Sequence, residues 1–438
     1  MIHILTSSRF RIEIKMVMDD LFSIRSTEGL EILDSRGNPT LRVIVTTAGG
    51  VSASGDAPAG VSKGSREAVE VRDPDRLGGM GVLRAVNNVK DYVNPALRGM
   101  DVRDQANIDG LLKELDITPN KSRIGGNVTI ATSIAVAKAA AKASGMELFR
   151  YLGGVFNTIP IPLLNVINGG LHGGNKLKVQ EFILIPHGFN YFSDSLMAAV
   201  EIYKRLKQEL ISKYGKIYTG LGDEGGFSPP LEKVDDALGL LSKVIEELGY
   251  KGKVSLGIDP AATDFYDNSK GKYEVDGKFM TSGELIDYYI SLASRYDLLY
   301  IEDPFQEDDL QSFSELNSKL TRTMVVGDDL YTTNVEYLRK GLSLKTTKGV
   351  IVKPNQVGTL TETFQFCREA MDGNNKLVVS HRSGETEDSF TADLAVALSA
   401  HYVKTGAPAR GERTAKYNRL LEIEKTYHLE YRGKIGLR

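Results

Sequence analysis

Between Lys253 and Arg382 the chain carries five short apolar runs, KVSLGID, LLYIED, TMVVGDD, GVIVKP and KLVVSHR, separated by helical patterns. An apolar run without alternation belongs to a strand buried on both faces, and so to a parallel sheet covered by helices. The runs recur about every 25 to 45 residues, the scale of one βα unit. Two further strand-like segments, IPLLNVIN and QEFILIP, and two long helical patterns, Ser193 to Tyr214 and Leu231 to Leu248, come before them. Together they make residues 153–438 close to the roughly 250 residues of an eight-stranded β/α barrel. An open doubly wound sheet is the alternative, weakened because no glycine fingerprint follows the first strand.

The chain ahead of the barrel has a different rhythm, and at 438 residues two domains are expected. LEILDSRGNPTLRVIVTTAGG alternates like strands around a turn. Helical patterns follow in VLRAVNNVKDYV, closed by Pro95, in DQANIDGLLKEL and in VTIATSIAVAKAAAKAS, stopped by Gly145. Residues 19–152 therefore read as a smaller α+β domain. Residues 1–18 lack a long apolar middle and read as an extension, or as a start misplaced ahead of Met16 or Met18.

Charge and cysteine content exclude several classes. The 54 basic and 57 acidic residues leave a net charge of −3 with no long basic run, so no nucleic-acid footprint is expected. The most apolar stretch is interrupted by Lys138 and Lys142, which argues against membrane insertion. One cysteine, Cys367, rules out an intramolecular disulfide and fits a reducing compartment, the cytoplasm. Its setting in TLTETFQFCREAM is that of a buried helix residue.

Each of the five runs ends on a reactive side chain: Asp259, Glu302, Asp328, Lys353 and His381. In a barrel, all strand C-termini open onto one mouth, where chemistry is built. A single Asp there commonly only caps a helix or makes a turn. Five in succession point to a site. Three converging carboxylates repel one another unless a cation intervenes, and oxygen-only ligands suit Mg²⁺ or Mn²⁺ better than zinc. Lys353 is either their counter-ion or a general base whose pKa a dry pocket and a nearby metal lower. Glu224 in GLGDEGGF and His172 in NGGLHGGN stand in glycine-rich loops that suit close approach to a ligand or closure over it. Ser380 beside His381 invites a hydrolase reading. Adjacent residues of a strand face opposite ways and no GxSxG elbow occurs, so that reading fails.

In order along the chain, DSRGNPT, NGGLHGGN, QEF, GDEGGF, IEDPF, VVGDDL, VKPNQVGTLTET, SHRSGETED and KTGAPARGER resemble the enolase family. The resemblance runs from about Leu30 to Glu424, far beyond a lone motif. A Lys or His base with one or two Mg²⁺ ions stabilising an ene-diolate is a known property of that superfamily and enters here as such. The resemblance implies a Mg²⁺-dependent lyase interconverting 2-phosphoglycerate and phosphoenolpyruvate, with a barrel that begins ββαα. It implies that Asp259, Glu302 and Asp328 hold one Mg²⁺ and Ser35 a second. Lys353 would take the C2 proton, and Glu224, supported by Glu181, would protonate the leaving hydroxyl. Gln180 would lie near the substrate and His381 near that hydroxyl. Arg382 and Ser383 would bind phosphate, His172 would reach it on loop closure, and Lys404 would contact the carboxylate. A homodimer or homo-octamer in the cytoplasm is implied too, with a secondary place at the cell surface left open.

Departures are few: Leu171 and Gly173 around His172, Thr263 and Asp264 in DPAATDFY, and a looser match in PAGVSKGSREAVEVRD. None replaces a proposed ligand or acid–base group. Two rivals remain, an acid-sugar dehydratase of the same superfamily and a non-catalytic binding protein on the same fold. The first has no use for SHRSG; the second would be expected to have lost acid, base or metal ligands.

Overall fold

In the computed structural model, strands β1 (Ile24–Leu33), β2 (Pro39–Thr47) and β3 (Ser52–Asp56) form an antiparallel sheet in that order. Residues 21–60, 64–155 and 157–435 are described, so the extension 1–18 lies outside them. On β2 the alternate residues Leu41, Val43 and Val45 are fully buried, as period-two geometry demands of a strand with one core face. The helix Gly126–Ala143 lies against this sheet. It is buried on nearly every side, which explains its largely apolar sequence without a membrane. No described helix is long and apolar enough to cross one.

Pro95 does not close its helix where the sequence suggested. The chain runs through a π-helical turn, Val89–Val93, into a last helical turn, Asn94–Leu97. Pro95 stands at the start of that turn, where a missing N–H costs nothing.

The second unit is a closed eight-stranded barrel. Its strands are β4 (Ile161–Asn168), β5 (Glu181–Pro186), β6 (Val254–Asp259), β7 (Leu298–Glu302), β8 (Met324–Gly327), β9 (Gly349–Val352), β10 (Lys376–Ser380) and β11 (Tyr402–Lys404). Strand β5 runs antiparallel to both β4 and β6; every other neighbour is parallel. Two helices, Phe192–Tyr214 and Val234–Glu247, follow β5, giving the ββαα opening. The helix Ser282–Arg295 starts on the Thr281–Glu284 capping box expected from sequence. Cys367 is buried within its helix.

The two units divide the chain at Leu152/Gly153 with two exchanges: Pro58–Glu67 groups with the barrel and Gly358–Thr361 with the first unit. Hydrogen bonds account for both. Ala59 pairs with Gly384, and Asn355 Nδ2 donates to the Pro58 carbonyl at 3.2 Å. In the first unit the Thr361 N–H donates to Asp109 Oδ2 at 2.9 Å, and the Leu360 N–H to Ser133 Oγ at 3.0 Å.

Candidate active site

Barrel topology explains which residues meet. Asp259, Glu302 and Lys404 are the last residues of β6, β7 and β11, while Asp328, Lys353 and His381 directly follow β8, β9 and β10. Because β5 is reversed, its first residue, Glu181, faces the same mouth, with Gln180 before it. A cavity there is lined by His172, Gln180, Glu181, Glu224, Asp259, Asp328, Lys353, His381, Arg382, Ser383 and Lys404. Glu302 lies just behind, fully buried. Ser35 sits in the turn between β1 and β2 of the first unit.

Two lysines organise the carboxylates. Lys404 Nζ touches Asp259 Oδ2 and Glu302 Oε2, both at 2.8 Å, and Glu181 Oε2 at 3.1 Å. Lys353 Nζ donates to Asp328 Oδ2. The expected triad of Asp259, Glu302 and Asp328 is thus shared between two ammonium groups. Among the described residues, the acidic or imidazole sets whose donor atoms lie within 4.8 Å of one another are His172–Glu181–Glu224 and Asp303–Asp328–Asp329.

Burial pushes Glu302 up to about 8, with the Asp259 charge adding to it. Burial disfavours charge on Lys404 as well, but Asp259 and its neighbours outweigh this and hold the ammonium protonated. At Lys353 burial is again the largest influence, yet contact with Asp328 turns the net shift upward. Here an ion pair at hydrogen-bond range outweighs a dry pocket.

Glu181 and Glu224 are pushed apart. Burial and the Glu224 charge raise Glu181 well above the carboxylate range. Burial opposes ionisation of Glu224 too, but His381 and then His172 outweigh it and hold it well below. Burial pushes His381 itself down to about 4. Its Nε2 is 3.5 Å from Glu224 Oε1, so the protonation of each group depends on that of the other. Asn165 Nδ2 donates to the other Glu224 oxygen at 2.9 Å.

Several participants were not singled out in sequence. Asp303 accepts the N–H groups of Asp328 and Asp329 at 2.9 and 2.7 Å, shaping that turn. Arg413 is fully buried and donates to the carbonyls of Arg382 and Ser383, both at 2.6 Å, and of Asp223 at 3.1 Å. It ties the His381–Ser383 loop to the Glu224 loop. Glu67 pairs with Arg382, and Gln356 donates to Asp328 Oδ1 at 2.9 Å. Gln356 and Arg413 stand inside VKPNQVGTLTET and KTGAPARGER, which was the available hint; Glu67 had only its place in the looser match PAGVSKGSREAVEVRD. Ser380 lines the cavity after all, but its hydroxyl donates to the His381 carbonyl and not to a ring nitrogen. The next helix starts at Phe390, and Glu385 ahead of it is buried against Lys416 at 2.8 Å.

The donor set suits a hard divalent cation. Asp259, Glu302 and Asp328 offer oxygen alone, and Glu302 Oε1 is buried without a hydrogen bond. Buried ring nitrogens of His172 and His381 Nε2 also make no hydrogen bond, leaving polar atoms for a bound anion or hydroxyl.

Comparison with known proteins agrees with this geometry. Residues 24–152 match the family model "Enolase, N-terminal domain" and residues 156–435 match "Enolase, C-terminal TIM barrel domain". An enolase of Sulfurisphaera tokodaii is 59% identical over 418 residues, covering 95% of this chain and 99% of that protein. An enolase of Saccharolobus solfataricus is 56% identical over the same shares. With both parts of the chain matched and the relatives covered nearly end to end, the chain belongs to the enolase family.

Proposed function

We propose that the residues gathered at the barrel mouth carry out the family's reaction, with Lys353 as base and Glu224 as acid. The reaction itself comes with the family: the chain is a carbon–oxygen lyase of glycolysis and gluconeogenesis that interconverts 2-phosphoglycerate and phosphoenolpyruvate. The observation that carries the assignment is a base, an acid and an anion site on one cavity: Lys353, the Glu181–Glu224 pair, and Arg382 with Ser383.

The hydrogen on C2 is a very weak acid because a carboxylate stands beside it, and its removal adds charge to that carboxylate. Fixed positive charge where this develops is the strongest lever available. Lys404 supplies one such charge. Asp259, Glu302 and Asp328 would hold a Mg²⁺ ion, with Mn²⁺ a substitute, and the bound ion would supply further Lewis-acid neutralisation. Lys353 takes the C2 proton as its neutral amine. With Asp328 engaged elsewhere, burial and the Arg382 charge both favour that neutral form. The C2–H electrons become the C2–C3 double bond and the C3 hydroxyl leaves as water, its proton coming from Glu224. Glu181, whose surroundings hold it protonated, supports Glu224 in that role, and His381 lies near the leaving hydroxyl. Arg382 offers phosphate its guanidinium charge, Ser383 a hydroxyl, His172 its ring and Gln180 its amide.

Ser35 is proposed as the protein ligand of a second Mg²⁺. A homodimer or homo-octamer in the cytoplasm completes the reading. The experiment is ultraviolet detection of phosphoenolpyruvate formed from 2-phosphoglycerate. Absence of turnover with both Mg²⁺ and Mn²⁺ would overturn it.

A further inference from the structure

Tyr300 stands two residues before Glu302 on β7, so the two side chains leave the same face of the strand. Both are fully enclosed, at 1% and 0% exposure. The ring has room because its register partner on β6 is Gly257, where a Cβ would lie 3.0 Å from Tyr300 Cβ. The phenol O–H donates to Glu302 Oε2, the oxygen that also accepts from Lys404 Nζ at 2.8 Å. The second oxygen, Oε1, is buried and makes no hydrogen bond.

Two donors from different strands on one oxygen remove the carboxylate's freedom to rotate. A buried acceptor left without a partner is costly unless something else fills its place. We propose that Tyr300 is a positioning residue: it locks the Glu302 carboxylate so that Oε1 is reserved for a divalent cation. The inference rests on the reading of Glu302 as a metal ligand. Partners that orient a ligand from behind change metal affinity about 10- to 100-fold when removed.

The test uses the full chain stripped with EDTA and titrated with Mn²⁺, free ion being followed by electron paramagnetic resonance. Tyr300→Phe keeps the ring and removes the donor. Its Mn²⁺ Kd should rise about tenfold or more, while its Tm in EDTA stays close to that of the unaltered chain. The Mg²⁺ concentration for half-maximal turnover should rise in parallel, with kcat recovered at saturating Mg²⁺. A merely structural role would lower the EDTA Tm and leave the Kd alone. An unchanged Kd in Tyr300→Phe overturns the proposal. If the Phe variant does not fold, the same titration of Tyr300→Leu decides in its place. Glu302→Gln separates the two readings: if it binds Mn²⁺ as before, Glu302 is no ligand. If it loses Mn²⁺ while Tyr300→Phe keeps it, only the role of Tyr300 falls.

Discussion

Glu67 lays its carboxylate along the guanidinium of Arg382, Oε2 to Nη1 at 2.8 Å and Oε1 to Nη2 at 3.0 Å, with Asn355 Oδ1 on Nη1 at 3.1 Å. Both side chains are almost fully buried. Breaking such a pair strands a charge, so Glu67→Ala should lose about 3 kcal/mol of unfolding free energy in urea. Added inorganic phosphate should restore more stability to the variant than it gives the unaltered chain, because an anion refills the place on Arg382. Stability unchanged by the substitution would remove Glu67 from any supporting role.

Lys353 and Glu224 are separable by isotope exchange. Lys353→Ala should abolish exchange of the C2 proton of 2-phosphoglycerate with solvent, and Glu224→Gln should keep much of it while dehydrating about 10²- to 10⁴-fold more slowly. The opposite pattern would swap acid and base.

His401 precedes β11, outside the site, and offers a pH test of stability. Burial, with help from Arg432 and Lys376, pushes its pKa down from 6.5 to about 4. A depressed histidine favours the fold when neutral. Its contribution is therefore complete above about pH 6.5 and is lost as pH falls toward 4. His401→Gln should narrow the stability difference between pH 8 and pH 5 by on the order of 1 kcal/mol, allowing for the ring's partial contact with solvent. Denaturation curves at the two pH values measure it; an unchanged difference would mean the ring titrates normally.

Two glycines should respond in opposite directions. A Cβ on Gly55 of β3 would meet the Ala131 carbonyl oxygen at 2.4 Å, whereas one on Gly110 meets nothing within 4 Å. Gly55→Ala should cost about 2 to 3 kcal/mol by forcing sheet and helix apart. Gly110→Ala, inside the helix Gln105–Asp116, should gain about 0.5 to 1 kcal/mol. Thermal unfolding of both variants decides it.

The barrel was legible because strands buried on both faces must be apolar throughout, and because strand ends in a closed parallel barrel converge wherever they lie in sequence. Asp259, Glu302, Asp328, Lys353 and His381 could be found for that reason alone. Glu67 could not: it stands 315 positions from Arg382, and nothing local marks the pair. The exchange of residues 58–67 and 358–361 between the units was hidden for the same cause.

Sequence alone determined the family, the barrel and nearly all the side chains of the cavity, since these follow from residue type, period and motif. Only the tertiary structure decided their charge. Lys353 is held protonated because Asp328 lies within hydrogen-bond range, and Glu181 and Glu224 part company because different neighbours surround each. Electrostatic energy depends on separation and on the water excluded, and neither is written in the order of residues.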